Sequence, residues 1–129
     1  NVYDQQTSVS SLTPDAILVY VRNKTLSDAA RRQLQQVSDL KTQIVSLDAE
    51  KRAIDSDVQG ITRDEERNRQ NIASLSAVSG QQQIVQEYAR RLSDQETQIV
   101  KARERQTALD AHRAQLQNQL NSLVDKLEF

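Results

Sequence analysis

The residues with the clearest potential for acid–base chemistry form one run, Asp64-Glu65-Glu66-Arg67. Paired carboxylates transfer protons when their side chains converge on one substrate atom. Successive residues of a helix point in different directions, so these three carboxylates are not expected to converge. Arg67 and Arg69 lie within one helical turn of the acids. The pattern therefore predicts ion pairs on a helix surface rather than a catalytic pair.

The other residue with potential for chemistry is the one histidine, His112. A zinc site needs several nitrogen or sulfur ligands, and the chain has no cysteine and no second histidine. Phosphate-loop, dinucleotide, zinc-protease and serine-hydrolase motifs do not occur in the sequence. We therefore expect His112 to face solvent, and we predict that the chain is not an enzyme and binds no metal and no cofactor.

The composition indicates what kind of scaffold carries these residues. Aromatic residues make up 3% of the chain, and there are two glycines and one proline. Such a chain cannot fill a thick core, but it can form long helices that share a narrow apolar seam. Seventeen basic and 18 acidic residues are mixed along it. This balance argues against nucleic acid or an anionic membrane surface as the main partner.

The apolar residues predict two long helices. They recur at alternating spacings of three and four residues, which is the pattern of a left-handed coiled coil. The first series is Val37, Leu40, Ile44, Leu47, Ile54, Val58, Ile61, Ile72 and Leu75. The second series is Val85, Tyr88, Leu92, Ile99, Ala102, Leu109, Leu116, Leu120, Leu123 and Leu127.

Gly80 separates the two series. Glycine tolerates the left-handed conformation that commonly ends a helix. If the chain reverses there, facing residues have numbers that add up to about 160, which pairs Ile44 with Leu116 and Ile61 with Ile99. We therefore predict an all-α fold, a long antiparallel two-helix coiled-coil hairpin over residues 27–129, with its turn near 79–81.

Several seam positions carry polar residues. Long polar side chains can extend their heads into water from a two-helix seam, so we expect no buried charge. The alternative is that these layers fix the register or contact a third element. The predicted register pairs Glu65 with Gln95, Asn68 with Leu92, Ile54 with Gln106, Lys51 with Leu109, and Leu47 with Arg113.

Residues 1–26 form a connection and a short helix. Thr13 is a helix cap and Pro14 suits the first helical position, which predicts a helix over residues 14–22. Thr25 with Asp28 fits a capping box at the start of the first long helix, and Ser27 is the rival cap. The short helix is expected to pack at the open end of the hairpin. The candidate contacts at this base are Ile17, Leu18, Tyr20, Val21, Leu127 and Phe129.

Three stretches carry a resemblance to a known family: ILVYVRNKTLSDAARRQL, QETQIVKARERQTALDAHRAQL and LVDKLEF. They resemble the C-terminal coiled coil of the bacterial domain-of-unknown-function 4139 family, in which a largely β region precedes the coiled coil. The resemblance covers residues 13–129. It implies a module of a larger protein and is compatible with an exported or periplasmic location of that protein. The start at Asn1 without methionine also favours a fragment. No activity follows from the resemblance.

The hairpin fits a structural or protein-interaction role, with a protein partner or a neighbouring domain of the same chain, and a homodimer stays open. The candidate tip contacts are Ala77, Val78, Ser79, Gly80 and Gln81. An alternative is a periplasmic adaptor hairpin that docks a partner through its tip, although the Arg-Leu-Ser spacing of such tips is missing, since Arg67 stands four residues after Arg63. A nucleic-acid-binding arm is a further, weaker alternative. The longest apolar run, residues 16–21, is too short to insert across a bilayer.

Overall fold

The fold is that of a computed structural model, which describes residues 12–23 and 26–127, except for the side chains of Tyr20 and Asn23. Three helices occupy this part of the chain: α1 (Pro14–Asn23), α2 (Asp28–Ser76) and α3 (Gln82–Asp125). The described residues contain no strand. The two long helices α2 and α3 pack against each other, which confirms the predicted all-α helical hairpin.

The start of α1 follows from two neighbouring residues. Thr13 Oγ1 accepts a hydrogen bond from the Ala16 amide at 3.2 Å, and the Thr13 carbonyl accepts one from the Ile17 amide at 3.0 Å. Pro14 is the first helical residue, where its missing N–H costs nothing. The helix ends at Asn23, one residue beyond the predicted end at 22.

The start of α2 is capped by Ser27. Its Oγ accepts a hydrogen bond from the Ala30 amide at 3.1 Å, which satisfies one of the donors that the first helical turn leaves free. Ser27 is the rival candidate in the sequence, and Thr25, the residue of the predicted capping box, lies outside the described residues.

The chain reverses over residues 77–81, between Ser76 and Gln82. The Val78 amide donates to the Leu75 carbonyl at 3.0 Å, and the Val85 amide donates to the Gln81 carbonyl at 3.1 Å. Gly80 has a φ of 82°, a conformation that costs other residues about 1–2 kcal/mol. The reversal therefore depends on the residue type at this one position.

The chain divides into two compact units, Asn1–Ala49 with Asp110–Phe129 and Glu50–Leu109. The first, called the three-helix unit, contains α1 and the adjoining parts of α2 and α3. Its core is a cluster of eight buried apolar residues. They are Ile17, Leu34, Val37, Ile44, Leu116, Leu120, Val124 and Leu127. Leu34 and Val124 lie outside the two predicted series, because a third helix widens the face that is covered.

The second, called the two-helix unit, is Glu50–Leu109. Its buried apolar residues are Val58 and Leu109, at 4% and 2% exposure. Most other apolar seam residues in this unit, such as Ile61 and Ile99, are half-buried, because two helices cover only a narrow stripe. Glu65, Asn68 and Gln106 are more deeply buried than those aliphatic residues. Polar contacts are therefore a large part of what holds the two helices in register here.

Candidate functional site

The predicted tip residues lie in the turn, and four of the five are exposed. Ala77, Val78, Ser79 and Gly80 are exposed, and Gln81 is half-buried. Val78 keeps 47% of its surface exposed, a large fraction for an aliphatic residue. Single exposed apolar residues are common in proteins, so the exposure of Val78 alone does not indicate an interface.

The segment around the turn also lacks charge. No charged residue occurs between Arg69 and Glu87, in a chain of which 27% of residues are charged. Within this uncharged segment Ile84 is also exposed, at 41%. The centres of protein interfaces are depleted in charged residues, whereas solvent-exposed helix faces are rich in them. We call Val78, Ile84 and the exposed turn residues between them the tip surface.

Ile84 was not among the predicted contact residues. The signal that identifies it is present in the sequence, since the gap in charge can be counted without a structure. Its exposure, however, depends on the seam passing through Val85, which is half-buried beside it.

The predicted base residues differ in how deeply they are buried. Ile17 and Leu127 are buried in the core of the three-helix unit, at 0% and 3% exposure. Leu18 and Val21 are half-buried. The Tyr20 side chain and Phe129 lie outside the described residues. Ile17 and Leu127 are therefore engaged in intramolecular packing and present no surface to a partner.

Two polar contacts hold the start of α1 against α2. Lys41 Nζ donates to the Leu12 carbonyl at 2.6 Å, and Ser38 Oγ donates to the Pro14 carbonyl at 3.4 Å. Ser38 is 3% exposed. Burial lowers the pKa of Lys41, because the charged ammonium loses water. Side chains of α2 thus hold the start of α1 in place by donating hydrogen bonds to backbone carbonyls.

A hydrogen-bonded chain crosses the seam of the two-helix unit. Asn68 Nδ2 of α2 donates to Gln95 Oε1 of α3 at 3.0 Å. Gln95 Nε2 in turn donates to Asp64 Oδ2 at 2.6 Å. Gln95, which the predicted register places opposite Glu65, therefore bonds to the residues on either side of it, Asp64 and Asn68.

Glu65 contradicts the expectation that no charge is buried in the seam. It is 2% exposed, and its carboxylate lies 3.4 Å from an Arg69 guanidinium nitrogen. A hydrogen bond with Glu96 across the helix pair and desolvation raise the pKa of Glu65; repulsion from Glu96 adds to this and attraction by Arg69 opposes it. The expectation fails because Glu65 meets another carboxylate at the seam instead of extending past it into water.

Charges from both helices surround this carboxyl. Arg69 also contacts Glu66 at 3.8 Å and Glu96 at 3.5 Å. Arg67 is engaged with Asp64 at 2.8 Å. One guanidinium therefore serves three carboxylates. The predicted surface ion pairs of Asp64 and Glu66 are present. Glu65, in contrast, is buried.

A second polar layer lies further from the turn. Gln106 Nε2 donates to Asp55 Oδ1 at 2.6 Å, and Gln106 Oε1 accepts from Arg103 at 2.7 Å. Arg103 also reaches Asp55 at 3.4 Å, which closes a triangle. Gln106 is 9% exposed, and every buried polar side-chain atom of the described residues has a hydrogen-bond partner. Complete satisfaction is what makes a buried polar layer tolerable.

The polar contacts between α2 and α3 report the register. Arg105 binds Glu50 with two nitrogens at 3.1 and 2.8 Å, and Arg113 binds Asp48 at 2.7 Å. The residue numbers of the side-chain hydrogen-bond partners add up to between 155 (Glu50 with Arg105) and 163 (Asn68 with Gln95). The values scatter around the predicted 160 because long side chains reach up or down by about one turn.

The remaining chemistry-bearing residue, His112, is exposed. Within residues 12–23 and 26–127, no group of three or more histidines, cysteines or carboxylates has the arrangement of a metal site. None of the helices in this part of the chain combines the length and apolarity that crossing a bilayer requires.

The chain was compared with known proteins at three levels. No protein-family model matches it, no curated protein matches it, and no solved structure matches it. The resemblance to the domain-of-unknown-function 4139 family accordingly stays a prediction from the sequence.

Proposed function

We propose that this chain is a non-catalytic protein-interaction module, a helical hairpin that presents the tip surface to a protein partner and belongs to a larger bacterial protein of the domain-of-unknown-function 4139 type. The observation that carries the proposal is the coincidence of exposed apolar residues with an uncharged segment at the turn. Val78 and Ile84 are 47% and 41% exposed, and the nearest charges along the chain are Arg69 and Glu87.

The chemistry of this surface favours a protein over the other partner classes. Nucleic acids and anionic membranes are bound by clusters of Lys and Arg, and the segment between Arg69 and Glu87 has none. Small aliphatic residues among Ser and Gln instead suit a shallow apolar pocket whose rim offers hydrogen-bond groups. The partner surface is therefore expected to be apolar at its centre and uncharged.

Docking through the tip is shared with periplasmic adaptor hairpins, which stay the alternative. The two proposals differ in the location of the partner and not in the residues that contact it. The absent Arg-Leu-Ser spacing weighs against the adaptor identity and leaves the tip contact itself unaffected.

Site-specific photo-crosslinking in cells tests the proposal. A photoreactive amino acid at position 78 of the full-length protein is expected to give one discrete adduct, which mass spectrometry then identifies. Ile84→Asp should abolish the adduct, because a buried unpaired carboxylate is costly in an apolar interface.

The matched control uses Val100, which is 55% exposed in the same two-helix unit but lies among charged residues. A photoreactive residue at position 100 should give no such adduct, and Val100→Asp should leave the adduct from position 78 intact. Equal labelling from both positions, or no adduct from position 78, would contradict the proposal. An adduct between two copies of the chain would identify the partner as a second hairpin.

A further inference from the structure

We propose that Glu65 and Glu96 form a carboxyl pair that takes up one proton and thereby tightens the contact between α2 and α3, so that the two-helix unit contains a pH-sensitive latch. This device is separate from the tip surface and does not depend on the proposed function.

The geometry around Glu65 is crowded with negative charge. Its side chain is 3% exposed, whereas those of Glu66 and Glu96 are 62% and 60% exposed. The Arg69 guanidinium lies 3.4 to 3.8 Å from all three carboxylates. A single positive charge cannot balance three negative charges, so the buried member of the group carries the excess.

The other groups near the pair do not relieve this excess. On α2, Arg67 binds Asp64 at 2.8 Å, so its positive charge is already paired with another carboxylate. On α3, Gln95 is the polar neighbour, and both ends of its amide are already engaged by Asp64 and Asn68. The charged groups that act on Glu65 are thus Arg69 from its own helix and Glu96 from the facing helix, and Glu66 binds the same guanidinium.

One proton changes this arrangement. When one carboxyl of the pair is protonated, its O–H donates a hydrogen bond to the carboxylate of the other, and the repulsion between them disappears. Hydrogen bonding with Glu96, together with burial and repulsion, accordingly raises the pKa of Glu65 above the ordinary value of 4.5. The proton comes from solvent, and no covalent bond forms or breaks.

The direction of the effect follows from proton linkage. A carboxyl with a higher pKa in the folded than in the unfolded chain binds its proton more tightly when folded, so protonation stabilises the fold. This stabilisation is complete below the unfolded pKa, near 4.5, and is lost as the pH rises through the raised folded pKa. The two-helix unit is therefore held more tightly in acid than at neutral pH, as far as this pair is concerned.

Amide hydrogen exchange of the full chain tests the latch. Protection factors, which correct for the intrinsic effect of pH, are measured for residues 61–72 at pH 4 and pH 7. At pH 7, Glu65→Gln should raise protection severalfold over the unmodified protein, because the neutral amide removes the buried excess charge. At pH 4 the two proteins should converge, since the unmodified Glu65 is then neutral as well.

Glu66→Gln is the matched control, because it removes one negative charge at the adjacent, exposed position. It should follow the unmodified protein at both pH values. Glu96→Gln should reproduce the gain of Glu65→Gln, and it keeps the test decisive if the latter variant folds poorly. A gain that persists undiminished at pH 4, an equal gain in Glu66→Gln, or no gain at pH 7 in either member of the pair would overturn the latch.

Discussion

Asn68 of α2 and Gln95 of α3 share a hydrogen bond of 3.0 Å across the seam of the two-helix unit, and the Asn68 side chain is nearly inaccessible to water. The contact places two amides where a coiled coil ordinarily carries aliphatic residues. Each amide supplies a hydrogen-bond partner to the other. The two residues therefore contribute to stability together.

The effects of substituting Asn68 and Gln95 on the free energy of unfolding should therefore be strongly non-additive. Gln95→Leu should cost about 1–3 kcal/mol in the free energy of unfolding, because the buried Asn68 amide loses its partner. Asn68→Leu should cost a similar amount for the reciprocal reason. The double variant should recover part of the loss, because two leucines at a seam pack well, although Asp64 still lacks the hydrogen bond from Gln95.

Urea unfolding followed by circular dichroism measures all four members of this cycle. A coupling energy near zero would show that Asn68 and Gln95 act independently, contrary to the contact in the structure. The exposed residue Gln98 supplies the control, because Gln98→Leu should change the free energy of unfolding by less than about 0.5 kcal/mol.

The two glycines should respond in opposite directions to the same substitution. Gly80 has a φ of 82°, so Gly80→Ala should destabilise the chain by about 1 kcal/mol. Gly60 lies in the interior of α2, and a Cβ there would meet no atom within 4 Å. Gly60→Ala should therefore stabilise the chain by about 1 kcal/mol, through helix propensity alone.

Thermal unfolding of the two glycine variants gives the sign of each effect. A loss of stability in Gly60→Ala would indicate that the glycine serves a bend or a close contact. No loss in Gly80→Ala would show that the turn adopts another conformation.

The short helix α1 should contribute most of its stability through one side chain. Ile17 is completely buried, and Ile17→Ala should cost about 2–4 kcal/mol because it leaves a cavity in the three-helix unit. Val19 on the same helix is 53% exposed, and Val19→Ala should change the stability by less than about 0.5 kcal/mol.

Hydrogen exchange of the α1 amides distinguishes these cases. We expect faster exchange in Ile17→Ala and unchanged exchange in Val19→Ala. Equal effects would mean that α1 does not pack against the helix pair through Ile17.

The cap of α2 can be tested by a single hydroxyl. Ser27 accepts the Ala30 amide at 3.1 Å, so Ser27→Ala should cost about 1 kcal/mol. Ser46 is an exposed residue in the interior of the same helix, and Ser46→Ala should be neutral or slightly stabilising. If Ser27→Ala is as well tolerated in urea unfolding as Ser46→Ala, another residue caps the helix.

The amino-acid sequence by itself determined the path of the chain. The spacing of its apolar residues required two long helices, the φ tolerance of Gly80 placed the reversal, and Thr13 with Pro14 started the short helix. These features are local, because periodicity, capping and glycine conformation depend on residues within a few positions of one another.

The tertiary structure alone decided which polar residues face each other. Heptad spacing defines the face of each helix, but it leaves the axial offset and the reach of long side chains free by about one turn. For this reason Gln95 bridges Asp64 and Asn68, and Glu65 is buried against Glu96 instead of reaching water. The burial of Ser38 and Val124 has a similar origin, because it depends on where α1 lies against the two long helices.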